Sequence, residues 1–131
     1  MRNIIVLACI MMLMASCEKP NRTPEGPTDV RIKNLTDQVF NDVNVDTGGG
    51  EHNYGDIPAG GITDYFRFDI AYPDAEITAT INGEVYTTGE KDYTYATYIG
   101  PDKITYEVYI INPEQRILEV DVIIDAPIDQ K

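Results

Sequence analysis

Glu76-Ile77-Thr78-Ala79-Thr80-Ile81-Asn82-Gly83-Glu84-Val85-Tyr86-Thr87-Thr88 is the stretch that decides the fold class. Ile77, Ala79 and Ile81 alternate with Thr78 and Thr80, the period of two that sets one side of a strand against a core and the other in water. Asn82-Gly83 follows, the dipeptide favoured where both central turn residues need positive φ. Residues 85–88 then return as the partner strand. The same period recurs in both directions from this hairpin. Upstream, Val30 and Ile32 alternate with Asp29, Arg31 and Lys33. Residues 38–47 set Val43 and Val45 inward, with Phe40 out of phase and marking an expected bulge. Gly48-Gly49-Gly50 ends that strand, and a loop is expected through Tyr54-Gly55-Asp56. Phe66, Phe68 and Ile70 then share one face, opposite Tyr65, Arg67 and Asp69. Downstream, Ile104, Tyr106, Val108 and Ile110 alternate. After an Asn112-Pro113-Glu114-Gln115 turn, Leu118, Val120, Val122 and Ile124 do the same.

About seven short strands with turns between them, and no convincing helical spacing, predict an all-β domain. The expected form is a two-sheet antiparallel β-sandwich, immunoglobulin-like or transthyretin-like. A small barrel satisfies the same periodicity, because it too places alternate residues inside.

The N-terminus sets the organisation of the chain. Met1-Arg2-Asn3 carries one positive charge and precedes an unbroken apolar run from Ile4 to Ala15. That run is too short to span a bilayer as a helix and fits the hydrophobic region of a signal peptide. Ala15-Ser16 directly before Cys17 resembles the bacterial lipobox, in which lipid is attached to the cysteine and the chain is cut just before it. The expectation is a lipoprotein signal over residues 1–16, a tether over 17–27 containing Pro20, Pro24 and Pro27, and a single domain over 28–131. Removing sixteen of the 131 residues leaves 115, enough for one ordinary core. The partner expected first is therefore a membrane, reached through lipid on Cys17. The address is the bacterial cell envelope, with the outer membrane expected.

Charge and cysteine content exclude several classes. The chain carries 10 basic and 22 acidic residues and one histidine. A strongly acidic surface with scattered cations repels nucleic acid, whose binding needs clustered Lys and Arg. Cys9 leaves with the signal and Cys17 is consumed by lipid, so no disulfide can form within the domain and its core must stabilise it. Ser16, the only serine, is cut away as well. Nucleophilic catalysis through serine or a free thiol is thus excluded, and His52 alone cannot make a zinc site. In its glycine-flanked loop, His52 is expected to be solvated.

The chain is similar in three places to the small lipoproteins of Bacteroidota that carry one β-sandwich behind a lipobox. These places are Asp46-Thr47-Gly48-Gly49-Gly50-Glu51, Tyr54-Gly55-Asp56-Ile57 with a glycine-containing turn and Thr63 after it, and Gly100-Pro101-Asp102-Lys103-Ile104-Thr105-Tyr106. The likeness covers residues 28–111. It implies a sandwich fold and an envelope location, and it carries no functional residues with it.

Two constellations remain. Asp42, Asn44 and Asp46 stand at the first, third and fifth positions of a calcium-loop pattern, but the sixth position is Thr47 instead of glycine and the twelfth is Asn53 instead of glutamate. With Val43 and Val45 between them they read as the wet face of a strand, and no metal or other cofactor is expected. Residues 89–101 form the least regular connection and hold Tyr93, Tyr95 and Tyr98, rigid aromatics with a polar tip suited to a contact surface. The functional expectation is a non-catalytic lipid-anchored envelope module, structural or protein-binding. A glycan-binding accessory lipoprotein is second and a hydrolytic enzyme third. The structural alternative for Tyr93 and Tyr95 is that they pack inward from a further short strand.

Overall fold

The computed structural model describes residues 26–128, so the expected signal, Cys17 and most of the tether lie outside the described residues. The described chain is all-β. Its strands in order are β1 (Thr28–Asn34), β2 (Phe40–Asp46), β3 (Glu51–Ile57), β4 (Phe66–Phe68), β5 (Glu76–Ile81), β6 (Glu84–Thr87), β7 (Asp102–Asn112) and β8 (Ile117–Pro127). The ladders join them in the order β3-β2-β5-β6-β8-β7-β1-β4.

The β5–β6 hairpin forms as its sequence dictates. Asn82 and Gly83 take φ of 52° and 81°, and Ile81 pairs with Glu84. Ile77, Ala79 and Ile81 are buried, together with Val30 and Ile32 of β1, Val43 and Val45 of β2, and Ile104, Tyr106 and Val108 of β7. The bulge expected near Phe40 is also present. The β2–β3 register shifts between Phe40 and Val43, Asp42 takes φ of 54°, and the extra residue lets both Phe40 and Val43 face the core.

Three expectations need correction. Among the described residues there are eight strands instead of about seven, because residues 51–57, read as a loop, form β3. This strand buries only Ile57 fully and lies at the edge of the sheet, where backbone pairing to β2 suffices and no apolar alternation is required. The strand expected through Phe66, Phe68 and Ile70 shrinks to three residues, with Phe68 buried and Phe66 exposed. The sheet is mixed instead of antiparallel throughout. β1 runs parallel to β7 over six pairs, and β6 meets β8 in parallel through the single pair Thr87↔Ile117. Periodicity reports which face of a strand is buried and is silent on the direction of its neighbour.

The two edges of this sheet approach each other through side chains. Tyr54 of β3 donates its hydroxyl to the Val30 carbonyl at 2.7 Å, and His52 stacks on Phe66 of β4 at 3.6 Å between ring centroids. The sheet is thereby curled nearly closed. On the other side β8 outlasts β6, so Ile124, expected to face inward, is 60% exposed.

One buried polar side chain ties together the loops at the end where β1 finishes. Asn34 is fully buried, and its amide donates to the carbonyls of Gln38, Ile57 and Pro58. Its Oδ1 accepts from the Thr36 backbone N–H and hydroxyl. Asn34→Ala strands several of these groups away from water and is expected to cost about 1–3 kcal/mol, read as a lowered urea midpoint with unchanged slope.

Candidate functional site

The opposite end of the sheet, where β1 begins, gathers the tyrosines. β2 runs out at Asp46, and Thr47 closes a tight turn by donating its N–H to the Gly50 carbonyl at 3.0 Å. The Thr47 hydroxyl, itself buried, donates to the Ile70 carbonyl at 2.7 Å and so pins the turn to the segment after β4. A Cβ at Gly49 would lie 2.6 Å from both Cβ and O of Ile70, so only glycine allows this approach. At Gly48, with φ of 87°, a Cβ would meet the Tyr93 ring at 2.7 Å. The triple glycine therefore does more than end a strand. It is the bed on which an aromatic ring lies.

On that bed stands a column of three rings. Tyr72 stacks on Tyr93 with centroids 4.5 Å apart and planes 10° apart, and on Tyr98 at 5.4 Å and 29°. The column is held from below and from the side: Tyr106 donates its hydroxyl to the Tyr72 carbonyl at 2.5 Å, and the Ile99 N–H donates to the Ala71 carbonyl at 2.9 Å. Between residues 72–74 and the loop 91–97 lies a cleft of about 390 Å³. Tyr72 and Tyr93 supply apolar surface, while Asp74, Lys91, Asp92 and Thr97 supply polar groups. Lys91 Nζ is paired with Asp74 Oδ2 at 3.1 Å, and the lysine side chain is largely buried. Asp92 accepts from the N–H and hydroxyl of Thr94, which hold its carboxyl below the usual range.

The structure divides the three expected contact tyrosines. Tyr93 and Tyr98 are half-buried in the column, whereas Tyr95 is 97% exposed at the tip of the loop. No further strand forms there, so the inward packing of Tyr93 comes from stacking, and Tyr95 does not share it. The Tyr93 hydroxyl is buried without a well-formed hydrogen bond. Burial, reinforced by Asp74, Asp46 and Glu76, pushes it up to about 12, and only the Glu76 backbone opposes the shift. Tyr93→Phe removes a poorly satisfied polar group and keeps the stack. Its thermal midpoint is expected to match or slightly exceed that of the parent, whereas Tyr93→Ser loses the ring and lowers it.

The remaining candidate residues lie elsewhere. Asp42 accepts from the Asn53 amide at 2.7 Å, Asn44 donates to Glu51 at 3.1 Å, and Asp46 accepts from the Gly48 N–H at 2.9 Å. Each is committed to a different neighbour along β2, with Val43 and Val45 buried between them. Among the described residues no three His, Cys, Asp or Glu side chains gather as metal ligands. His52, expected in a solvated loop, sits on β3 between the Phe66 face and the Tyr54 edge, and burial lowers its pKa. Sequence reading missed Tyr72, which sits in an apparent turn, and the Asp74–Lys91 pair. The available signal was an aromatic residue inside Ala71-Tyr72-Pro73-Asp74, where a turn alone asks for none.

No family model and no curated protein matches the chain. Among solved structures it is similar to the NMR structure of a protein from Eubacterium rectale, with 19% identity and a TM-score of 0.44, over 81% of this chain and 95% of that one. The ladders and the tyrosine column stand on their own geometry.

Proposed function

We propose that this protein is a non-catalytic binding module held at the bacterial outer membrane by lipid on Cys17, with residues 1–16 removed as a signal and 17–27 serving as tether. Its domain reads best as a curled two-sheet sandwich. β3-β2-β5-β6 forms one half and β8-β7-β1-β4 the other, and the single Thr87↔Ile117 pair between them favours two layers over an evenly closed barrel. The observation that carries the binding role is the cleft beside the Tyr93-Tyr72-Tyr98 column. It combines apolar ring surface with a few placed polar groups, the usual character of a ligand site.

An envelope protein is the first partner class. A glycan is the second, favoured by the juxtaposition of the Tyr72 and Tyr93 rings with the Asp74–Lys91 ion pair. The test is a screen of the purified domain against envelope proteins and polysaccharides, repeated with Ala96→Trp. Ala96 is exposed and lines the cleft, so the indole fills the site without entering the core. Binding is expected with the parent and not with the variant, whose thermal midpoint should be unchanged. Equal binding by both would place the contact elsewhere.

A further inference from the structure

The first described residue lies beside the tyrosine loop. Gly26 packs against Pro101, which ends that loop, with an added Cβ standing 3.7 Å from Pro101 Cδ. Thr28 opens β1 by donating its hydroxyl to the Gly100 carbonyl, and the Pro101 carbonyl accepts from the Ile128 N–H. The tether thus enters the domain at the end that carries the column and Tyr95. It does not enter at the far end, where Asn34 ties the loops together.

From Gly26 back to Cys17 there are nine residue steps, which reach at most about 30 Å. Resting on the reading of Cys17 as the lipidated residue, we infer that the loop 89–101 faces the anchoring membrane and that Tyr95 seats in its polar interface. The partner of the loop tip is the lipid surface itself. Tyrosine suits this position, because its ring is apolar and its hydroxyl stays hydrated at headgroup depth. Tethering makes the contact intramolecular, so one well-placed ring suffices where a free protein would need several. The surrounding charges select the lipid. Glu90, Lys91 and Asp92 in the loop and Asp102 and Lys103 just after it sum to one negative charge on a strongly acidic protein. A zwitterionic surface accepts this end, and an anionic one repels it. The cleft beside Tyr72 then opens close to the bilayer. The loop 35–39 at the far end stands about 20 Å further out, roughly the length of a seven-residue strand.

The test uses the full lipidated chain in phosphatidylcholine vesicles. The protein contains no tryptophan, so Tyr95→Trp introduces a single indole at the loop tip. In a separate chain, Val39→Trp places one at the far end, where Val39 is 49% exposed. On vesicles the Tyr95→Trp emission should shift to the blue. Headgroup spin-labelled lipid should quench it several-fold more than the Val39→Trp emission, and the difference should shrink when anionic lipid replaces part of the phosphatidylcholine. Flotation reports the anchor separately. A chain that floats but shows unshifted emission, or equal quenching at both positions, overturns the orientation while leaving the anchor standing. A chain that does not float overturns both.

Discussion

Ile81→Ala should destabilise the domain by about 2–5 kcal/mol, the cost of deleting a buried aliphatic side chain that its surroundings cannot refill. Ile81 is 1% exposed and belongs to the cluster that joins β5 to β1, β2 and β7. Thr80→Ala, one residue away on the opposite face and only half-buried, should stay within about 1 kcal/mol. Paired urea titrations measure both. Similar losses from the two substitutions would mean that the hairpin presents its faces in some other way than the alternation of Ile77, Ala79 and Ile81 requires.

The second large effect is alkaline unfolding. Burial raises the pKa values of Tyr54 and Tyr106 well above the ordinary tyrosine value, and at Tyr106 the nearby Asp74 charge adds to the rise while the Tyr72 backbone opposes it. Below about pH 10 both the folded and the unfolded chains keep these protons, and the stabilisation is fully present. Above it the unfolded chain loses protons that the folded one retains. The folded state then binds more protons than the unfolded state, so stability falls as pH rises. Each such group contributes a slope of up to ~1.4 kcal/mol per pH unit, so the pair gives up to about 3 kcal/mol per unit. The urea midpoint should therefore hold near about pH 8 and drop steeply by about pH 11. Tyr54→Phe should flatten the decline, since one of these ionising groups is gone. A midpoint that does not move over this range would contradict the buried placement of these hydroxyls.

How much of this was legible in the sequence depended on what each residue had to signal. The β5–β6 hairpin declared itself because its alternation and its Asn82-Gly83 turn agree, and local agreement of that kind leaves few alternatives. β3 stayed hidden because an edge strand paired through its backbone needs no apolar stripe, and Tyr54 does its work across the sheet at Val30. The parallel β1–β7 pairing was out of reach for a different reason: the partners are some seventy residues apart, and nothing local to Val30 or Ile104 encodes which strand lies beside it. At the candidate site, the irregular stretch with three tyrosines was visible. Its division into a stacked pair and an exposed tip was not, because Tyr72 and Gly48, which decide it, are distant in sequence. Gly48-Gly49-Gly50 read as a strand terminator because a close ring contact leaves no mark on the glycines that permit it.

The claim on which the proposed function rests is the lipid on Cys17, and metabolic labelling with a radioactive fatty acid tests it most directly. The parent chain should take up label and fractionate with the outer membrane, and Cys17→Ala should take up none and retain residues 1–16. Label persisting on the Cys17→Ala chain, or a parent chain recovered unlabelled with its signal removed, would contradict it.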